Sequence, residues 1–253
     1  MRTVDFSTVL LDAINLCGYD VANISDQNFR TIRQFCNQRL RMAWEMYPWH
    51  SLTVYSQLSI TKDANNVTSM SVPADAGEIV GVYSQNPLAT TQATYVSYAL
   101  TTISGADKIV VQTTDATAYW VEYRFKRPDI QGELYKTMAY KSGAYVYYDT
   151  GSETGTYMPI EGKPHYGNFF KAKQDVGSSI SPTNNAYWEK VEVPYIFGTY
   201  LSRGVYADFL RSEQQYEDAG KAESDASAML EVEFDKELRQ QGQIRRINFI
   251  SSY

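Results

Sequence analysis

Residues that commonly carry catalysis or bind metals are scarce in this sequence. The two histidines, His50 and His165, stand far apart, and the two cysteines, Cys17 and Cys36, fall on predicted helices. No His-Glu-x-x-His or Cys-x-x-Cys motif occurs, so a zinc site of the common kinds is not predicted. The glycine-rich segment 151–155 lacks the Gly-Lys-Ser/Thr of a phosphate-binding loop, and no Gly-x-Ser-x-Gly elbow is present. We therefore expect no enzyme activity and no cofactor.

A surplus of positive charge and a long apolar run are also missing. The chain has 23 Lys and Arg against 29 Asp and Glu, a net charge of −6. Gripping nucleic-acid phosphates requires the opposite balance, so we expect no specific binding of DNA. No apolar stretch reaches membrane length, and residues 1–5 lead into an amphipathic segment rather than a signal peptide. We therefore expect no membrane partner. We interpret Cys17 and Cys36 as buried thiols of a protein that is made in a reducing cytoplasm.

Tyrosine is the residue in excess. The chain has 21 Tyr, with 10 Phe and 4 Trp, which brings aromatic residues to 14%. Tyrosine-rich surfaces are common where proteins contact other proteins or sugars, because the ring packs while the hydroxyl stays hydrated. Tyrosine is also favoured in β-strands. Composition alone leaves both interpretations open.

Apolar spacing predicts helices near both ends of the chain. Residues 5–17 carry one apolar stripe, and a second helix is expected from Ser25 to about Met46, ended by Pro48. Its arginines are expected on the outer faces, as solvated groups or as a docking surface: Arg30, Arg33, Arg39 and Arg41. After Pro194 two more helices are expected, with a break near 212–215 and an end at Gly242.

The middle of the chain changes to strand periodicity, with antiparallel strands expected up to about residue 137 and short strands between turn glycines beyond it. The predicted fold class is α+β: a helical body from the N- and C-terminal helices, an inserted antiparallel β domain and a small Tyr/Gly-rich β module. We expected this module to have its own self-contained core. The predicted segments are 1–50 (N-terminal helices), 51–137 (β domain), 138–193 (small module), 194–241 (C-terminal helical hairpin) and 242–253 (tail).

Two stretches resemble the head-to-tail adaptor (connector or neck) proteins of tailed bacteriophages. Residues 39–49, Arg-Leu-Arg-Met-Ala-Trp-Glu-Met-Tyr-Pro-Trp, resemble the signature that ends a helix in that family. The segment from Val193-Pro194 through 207–211 to 239–243 resembles the family's C-terminal helical hairpin. The pattern departs at Glu213, where the family leads us to expect a glycine in the turn.

A third stretch, residues 140–193, is similar to a small carbohydrate-binding module of the chitin-binding type. Tyr140, Gly143, the run 146–148, the run 168–172 and Trp188 carry this similarity. We interpret Trp188 as the core of the module, and a sugar platform is the alternative. The corresponding alternative function is a carbohydrate-binding tail or baseplate component.

The adaptor resemblance implies a structural virion protein at the head–tail junction, made in the host cytoplasm. Its implied partners are the portal protein, tail or further neck proteins, and its own copies in a ring, commonly a dodecamer. DNA would pass through this ring without specific binding.

Two sets of site residues follow from the resemblance and the charge pattern. Residues 216–239 contain eight acidic and three basic side chains, which suggests a repulsive wall along a DNA channel or else an ordinary solvated face. The residues assigned to the channel lining are Glu217, Glu223, Glu231 and Asp235. In similar adaptors the C-terminus inserts into the portal, so the resemblance implies that the tail binds the portal. We expect residues 243–253 to be disordered in the free subunit. The residues assigned to portal binding are Ile244, Arg245, Arg246, Ile247, Phe249 and Ile250.

Overall fold

The computed structural model describes residues 2–19, 25–63, 66–90, 93–112, 115–148 and 167–250, and of 241–250 only the course of the helix. The fold is α+β, as predicted. It divides into two compact units, which we call the helical unit (Met1–Pro48 with Pro128–Tyr253) and the β unit (Trp49–Arg127). The boundary after Arg127 replaces the predicted boundary at residue 137, because the strand at residues 133–134 pairs within the helical unit.

The N-terminal helices form where the apolar spacing predicted them. Helix α1 spans Phe6–Leu16 and buries the expected stripe, from Phe6 to Ile14. Helix α2 spans Asp26–Met46, and the Ser25 hydroxyl caps it by accepting a hydrogen bond from the Asn28 N–H at 3.2 Å. Such a cap satisfies a backbone donor that has no partner inside the helix.

The C-terminal hairpin consists of α3 (Gly198–Ser212), preceded by a 3₁₀ turn at Tyr195–Phe197, and α4 (Tyr216–Ile250). The predicted break is confirmed. The left-handed residue in the turn is Gln214, with φ of 64°, so Glu213 needs no glycine in its place.

The predicted end of α4 at Gly242 is wrong, because the helix continues to Ile250. A glycine costs only about 1 kcal/mol of helix propensity, and no proline follows it. The tail is therefore an extension of α4 up to residue 250, and residues 251–253 lie outside the described part.

A four-stranded sheet packs directly on the helices. Its order is β12–β11–β10–β9, with antiparallel pairs except for the parallel pair β9–β10; the strands are β9 (Glu133–Leu134), β10 (Tyr145–Tyr148), β11 (Asn168–Ala172) and β12 (Trp188–Lys190). On one face the Phe169 ring lies 5.0 Å from Phe6 of α1, and Tyr147 lies 5.1 Å from Phe29 of α2. The opposite face holds a separate aromatic cluster. Because its first face shares the core of the helices, this sheet is not the self-contained module that we expected.

Two short strands join the start of the chain to the segment before α3. Strand β1 (Thr3–Val4) pairs antiparallel with β13 (Val193–Pro194), directly before α3. The start of the chain thus meets the segment before α3 through backbone hydrogen bonds as well as through helix packing.

In the described residues of the β unit every strand pair is antiparallel. One sheet has the order β2–β8–β5, and the other has the order β3–β4–β7–β6. A short 3₁₀ turn, His50–Leu52, leads into the strands, which are β2 (Thr53–Ser59), β3 (Thr61–Lys62), β4 (Thr68–Ser71), β5 (Ala76–Tyr83), β6 (Tyr98–Ile103), β7 (Ala106–Val111) and β8 (Ala118–Phe125). Their inward side chains form one core cluster, with Met70, Ile79, Val82, Ile109, Val111, Val121 and Tyr123 as its buried members.

Candidate functional site

A buried arginine joins three helices of the helical unit. Arg39 on α2 donates two hydrogen bonds to Asp208 of α3, at 2.7 and 2.6 Å, and two to Glu223 of α4, at 2.6 and 2.5 Å. Arg211 bonds both carboxylates from the outer side, at 2.8 and 2.9 Å. We call these four residues the Arg39 cluster. The planar guanidinium suits this arrangement, because it binds carboxylates through pairs of parallel hydrogen bonds.

The backbone of α3 makes room for the buried arginine. A Cβ atom on Gly204 would lie 2.9 Å from Cδ of Arg39, closer than real contacts allow. Burial alone would lower the pKa of Arg39, but the hydrogen bonds that Arg39 donates to Asp208 and Glu223 outweigh burial and raise it. The same hydrogen bonds hold the pKa of Glu223 below its ordinary value, against the opposing effect of its own burial. Arg39 and Glu223 are therefore charged at neutral pH.

The cluster corrects two sequence-based assignments. Arg39, which we placed on an outer face of α2, has only 2% of its surface exposed. Glu223, which we assigned to the channel lining, points into the helical unit and not away from it. Both errors have one cause: a charged residue in a helix has the same periodic pattern whether it faces water or a buried partner of opposite charge.

The other three residues assigned to the channel lining lie on the exposed side of α4. Ala219, Ala226 and Leu230 form the buried side of this helix. Glu217, Glu231 and Asp235 are exposed, and at 100° per residue they fall within about 40° of one another around the helix. Glu217 pairs with Lys221 at 3.0 Å. Within the described residues, Glu231 and Asp235 have no ion-pair partner, so this face carries uncompensated negative charge.

The residues assigned to portal binding all lie on the last turns of α4. The helix carries Ile244, Arg245, Arg246, Ile247, Phe249 and Ile250 beyond Gly242. Their side chains lie outside the described part of the structure, so their portal-binding role stays a prediction.

The two tryptophans of the adaptor-like signature are buried. Trp44 packs against Phe197, with 5.9 Å between ring centroids, and Trp49 has no exposed surface. Between them Tyr47 stacks on Phe234 of α4 at 4.2 Å. Trp44 and Tyr47 thus contribute packing where α2 ends, and Trp49 is buried at the start of the β unit.

Trp188 belongs to a core, as we interpreted it. Its side chain is 1% exposed, and its ring N–H donates to the Ile180 carbonyl oxygen at 3.2 Å. Tyr140 meets the indole ring at 5.4 Å, and Tyr135 stacks on Tyr140 at 5.8 Å. A buried indole offers no flat face on which a sugar can stack, so Trp188 is not a sugar platform in this conformation.

The β unit contains a tyrosine–carboxylate cluster that the sequence did not reveal. Glu122 is 8% exposed and accepts hydrogen bonds from the hydroxyls of Tyr55, at 2.9 Å, and Tyr83, at 2.8 Å. Burial, and secondarily the hydrogen bond to Glu122, raises the pKa of Tyr83 to about 12. Strand alternation places these residues on one sheet face, but their pairing depends on the register of β2 and β5 against β8.

Two general features of the described residues bear on function. Among them, no group of three or more His, Cys, Asp and Glu is placed to hold a metal ion. No helix in the described part is both long enough and apolar enough to cross a membrane.

No known protein family matches this chain, and no curated protein matches its sequence.

Proposed function

We propose that this chain is a head-to-tail adaptor of a tailed-phage virion. It forms a ring, a dodecamer by analogy with the family it resembles, between the portal and the tail, and the ring continues the channel for DNA. The proposed partners are the portal protein, the tail or neck proteins below the ring, and further copies of the chain.

The observation that carries the proposal is the Arg39 cluster. The two stretches that resemble the adaptor family, one around residues 39–49 and one after Val193, are far apart in the sequence. In the folded chain Arg39 from the first stretch bonds Asp208 and Glu223 from the second. The resemblance therefore falls on residues that act together, which is expected if both stretches belong to one inherited helical body.

The exposed side of α4 supports the channel part of the proposal. Glu217, Glu231 and Asp235 present negative charge away from the helical unit. A wall of that sign repels the DNA backbone, so DNA moves along it without adhering. Glu223 takes no part in this wall, since it belongs to the Arg39 cluster.

The extension of α4 supports the portal part of the proposal. Residues 244–250 combine four large apolar side chains with two arginines. Such a segment binds well in an apolar groove with an acidic rim. Each copy binds weakly, and the ring makes the joint firm because many copies engage together.

The experiment has two parts. Electron microscopy of the virion neck, with the protein labelled, is expected to place it in a ring directly below the portal. Native mass spectrometry of the purified chain with portal is expected to give a multimeric complex. A stable monomer that binds glycans and is found only in fibres would replace the adaptor with the carbohydrate-binding alternative.

Truncation after Gln241 tests the tail within the same assay. The truncated chain is expected to keep the helicity of α1–α3 and to lose attachment to DNA-filled heads. The matched control replaces Arg41, an exposed residue of α2, by alanine. If the truncated chain joins heads as well as the control does, the tail is not the anchor.

A further inference from the structure

The end of strand β5 lies beside the segment that leads into β6, and the two strands separate beyond this point. At one end the Val96 N–H donates to the Val82 carbonyl oxygen at 2.8 Å, and Tyr83 and Tyr95 form an isolated antiparallel bridge. Beyond this point the two strands belong to different sheets: β5 pairs with β8, and β6 pairs with β7. Each is the outer strand of its sheet.

A side chain replaces the backbone pairing at the point of separation. The Tyr98 hydroxyl donates to the Ile79 carbonyl oxygen at 3.1 Å. From there on, no strand of the described chain pairs with the facing edges of β5 and β6. Each edge consequently presents a row of backbone donors and acceptors without a strand partner.

The space between the separated strands is a groove of about 610 Å³. Its walls come from both strands and include Ala76, Glu78, Ile79, Leu100, Thr101 and Thr102. Strand β6 is exposed along most of its length, and Leu100, at 56% exposure, is among the most exposed large apolar residues of the unit. Val80 on β5 is 47% exposed. The two strands that border the groove thus each expose an apolar side chain.

A second cavity of about 560 Å³ continues the groove and shares Val72, Ala76, Gly77 and Asp107 with it. Lys108 and Lys126 line this end. Lys108 donates to the Ser71 hydroxyl at 2.8 Å, and within the described residues neither lysine has a carboxylate at ion-pair distance. The continuation therefore favours a ligand with negative charge.

We propose that this groove binds an extended segment of a neighbouring virion protein, which inserts as an additional strand between β5 and β6. The segment pairs its backbone with both open edges, and it places a carboxylate near Lys108 and Lys126. A partner of the neck supplies it, so this inference rests on the proposed function.

The dimensions set the length of the segment. The open part of β5 runs from Ala76 to about Val80, and the open part of β6 from about Leu100 to Ile103. At about 3.3 Å per residue, four to five residues of an extended chain fill a length of about 15 Å. A main-chain ligand fits better than a small molecule or a sugar, because both facing edges present peptide groups that have no strand partner.

Hydrogen exchange tests the insertion directly. We compare amide exchange in the free chain with exchange in the chain assembled on DNA-filled heads with tails attached. Amides of residues 76–80 and 100–103 that have no hydrogen-bond partner within the chain are expected to exchange more slowly in the particle, by about tenfold or more. Equal exchange in both states would refute the groove while leaving the adaptor proposal intact.

Two variants test the chemistry of the site, each with a matched control in the same unit. Leu100→Lys places a charge in the groove and is expected to lower the affinity of the partner protein for the chain about tenfold or more. The control is Leu88→Lys, at a more exposed leucine outside the groove, which is expected to leave this affinity unchanged. Lys126→Glu is expected to weaken binding of the partner protein. Its control, Lys62→Glu on the exposed strand β3, is expected to leave binding unchanged.

The failures can be told apart. Normal joining by Leu100→Lys refutes the groove, and normal joining by Lys126→Glu refutes the acidic partner. Absence of the wild-type chain from particles refutes the adaptor proposal, and with it the groove as a site for a neck protein.

Discussion

Replacing Arg39 by alanine removes the central cation of the Arg39 cluster. Four charge-assisted hydrogen bonds are lost, two to Asp208 and two to Glu223. Arg211 still bonds both carboxylates, but its own side chain is 43% exposed, so solvent screens its contribution. The two carboxylates are left partly buried, at 17% and 28% side-chain exposure.

Breaking a buried charge pair by removing one partner typically costs about 3–5 kcal/mol, because the remaining charge stays desolvated. We expect Arg39→Ala to lower the free energy of unfolding by this amount. For a unit of this size the loss corresponds to a fall of about 10 °C in Tm. Urea unfolding followed by far-UV circular dichroism measures the change, with a thermal scan as a second observable.

Arg41→Ala is the matched control, since Arg41 lies two residues further along α2. Its ion pair with Glu45 spans 3.6 Å and joins two exposed side chains, at 70% and 62% exposure. Such a pair contributes about 0–1 kcal/mol. If Arg39→Ala and Arg41→Ala are equally stable, the cluster does not hold the helices together, and the reasoning from burial is wrong.

The remaining predictions concern the space, pH dependence and accessibility of buried groups. Gly204→Ala is expected to lower the free energy of unfolding by about 1–3 kcal/mol, because the new methyl group displaces Arg39. Gly220→Ala, with open space around it, is expected to raise the free energy of unfolding by about 0.5–1 kcal/mol. Urea unfolding of both variants checks the two signs. The pKa of Glu223 is lower in the folded chain than in the unfolded chain. The stability that ionised Glu223 contributes is therefore present above its ordinary pKa and is lost as the pH falls through the folded pKa. Glu223→Gln is expected to flatten the acid limb of the stability–pH curve, and an unchanged limb would contradict this. Burial raises the pKa of Cys36 to about 12, so a thiol reagent at neutral pH is expected to label it only after urea unfolding, and rapid labelling of the folded chain would show that α2 opens.

The signature that carries the adaptor resemblance begins with Arg39 and also contains two tryptophans and the proline that follows α2. In the structure Arg39 is the residue that connects both resembling stretches. Its role was not predictable from spacing, because its partners lie 169 and 184 residues away.

The sequence by itself determined the local elements of this protein. The apolar stripe of α1, the Ser25 cap and proline end of α2, the break before Tyr216 and the antiparallel strands of the β unit all follow from neighbouring residues. Such features depend on backbone propensity and on period, which a short window of sequence contains. The end of α4 is the exception, since one glycine is too weak a signal to stop a helix.

Only the tertiary structure decided which faces meet. It directed Glu223 inward and Glu231 outward on one helix, packed Tyr147 and Phe169 against α1 and α2, and left β5 and β6 open to each other. The physical reason is that burial of a charge, sharing of a core and pairing of an edge depend on partners distant in the chain. A periodic pattern specifies that a face exists, and only the fold specifies what covers it.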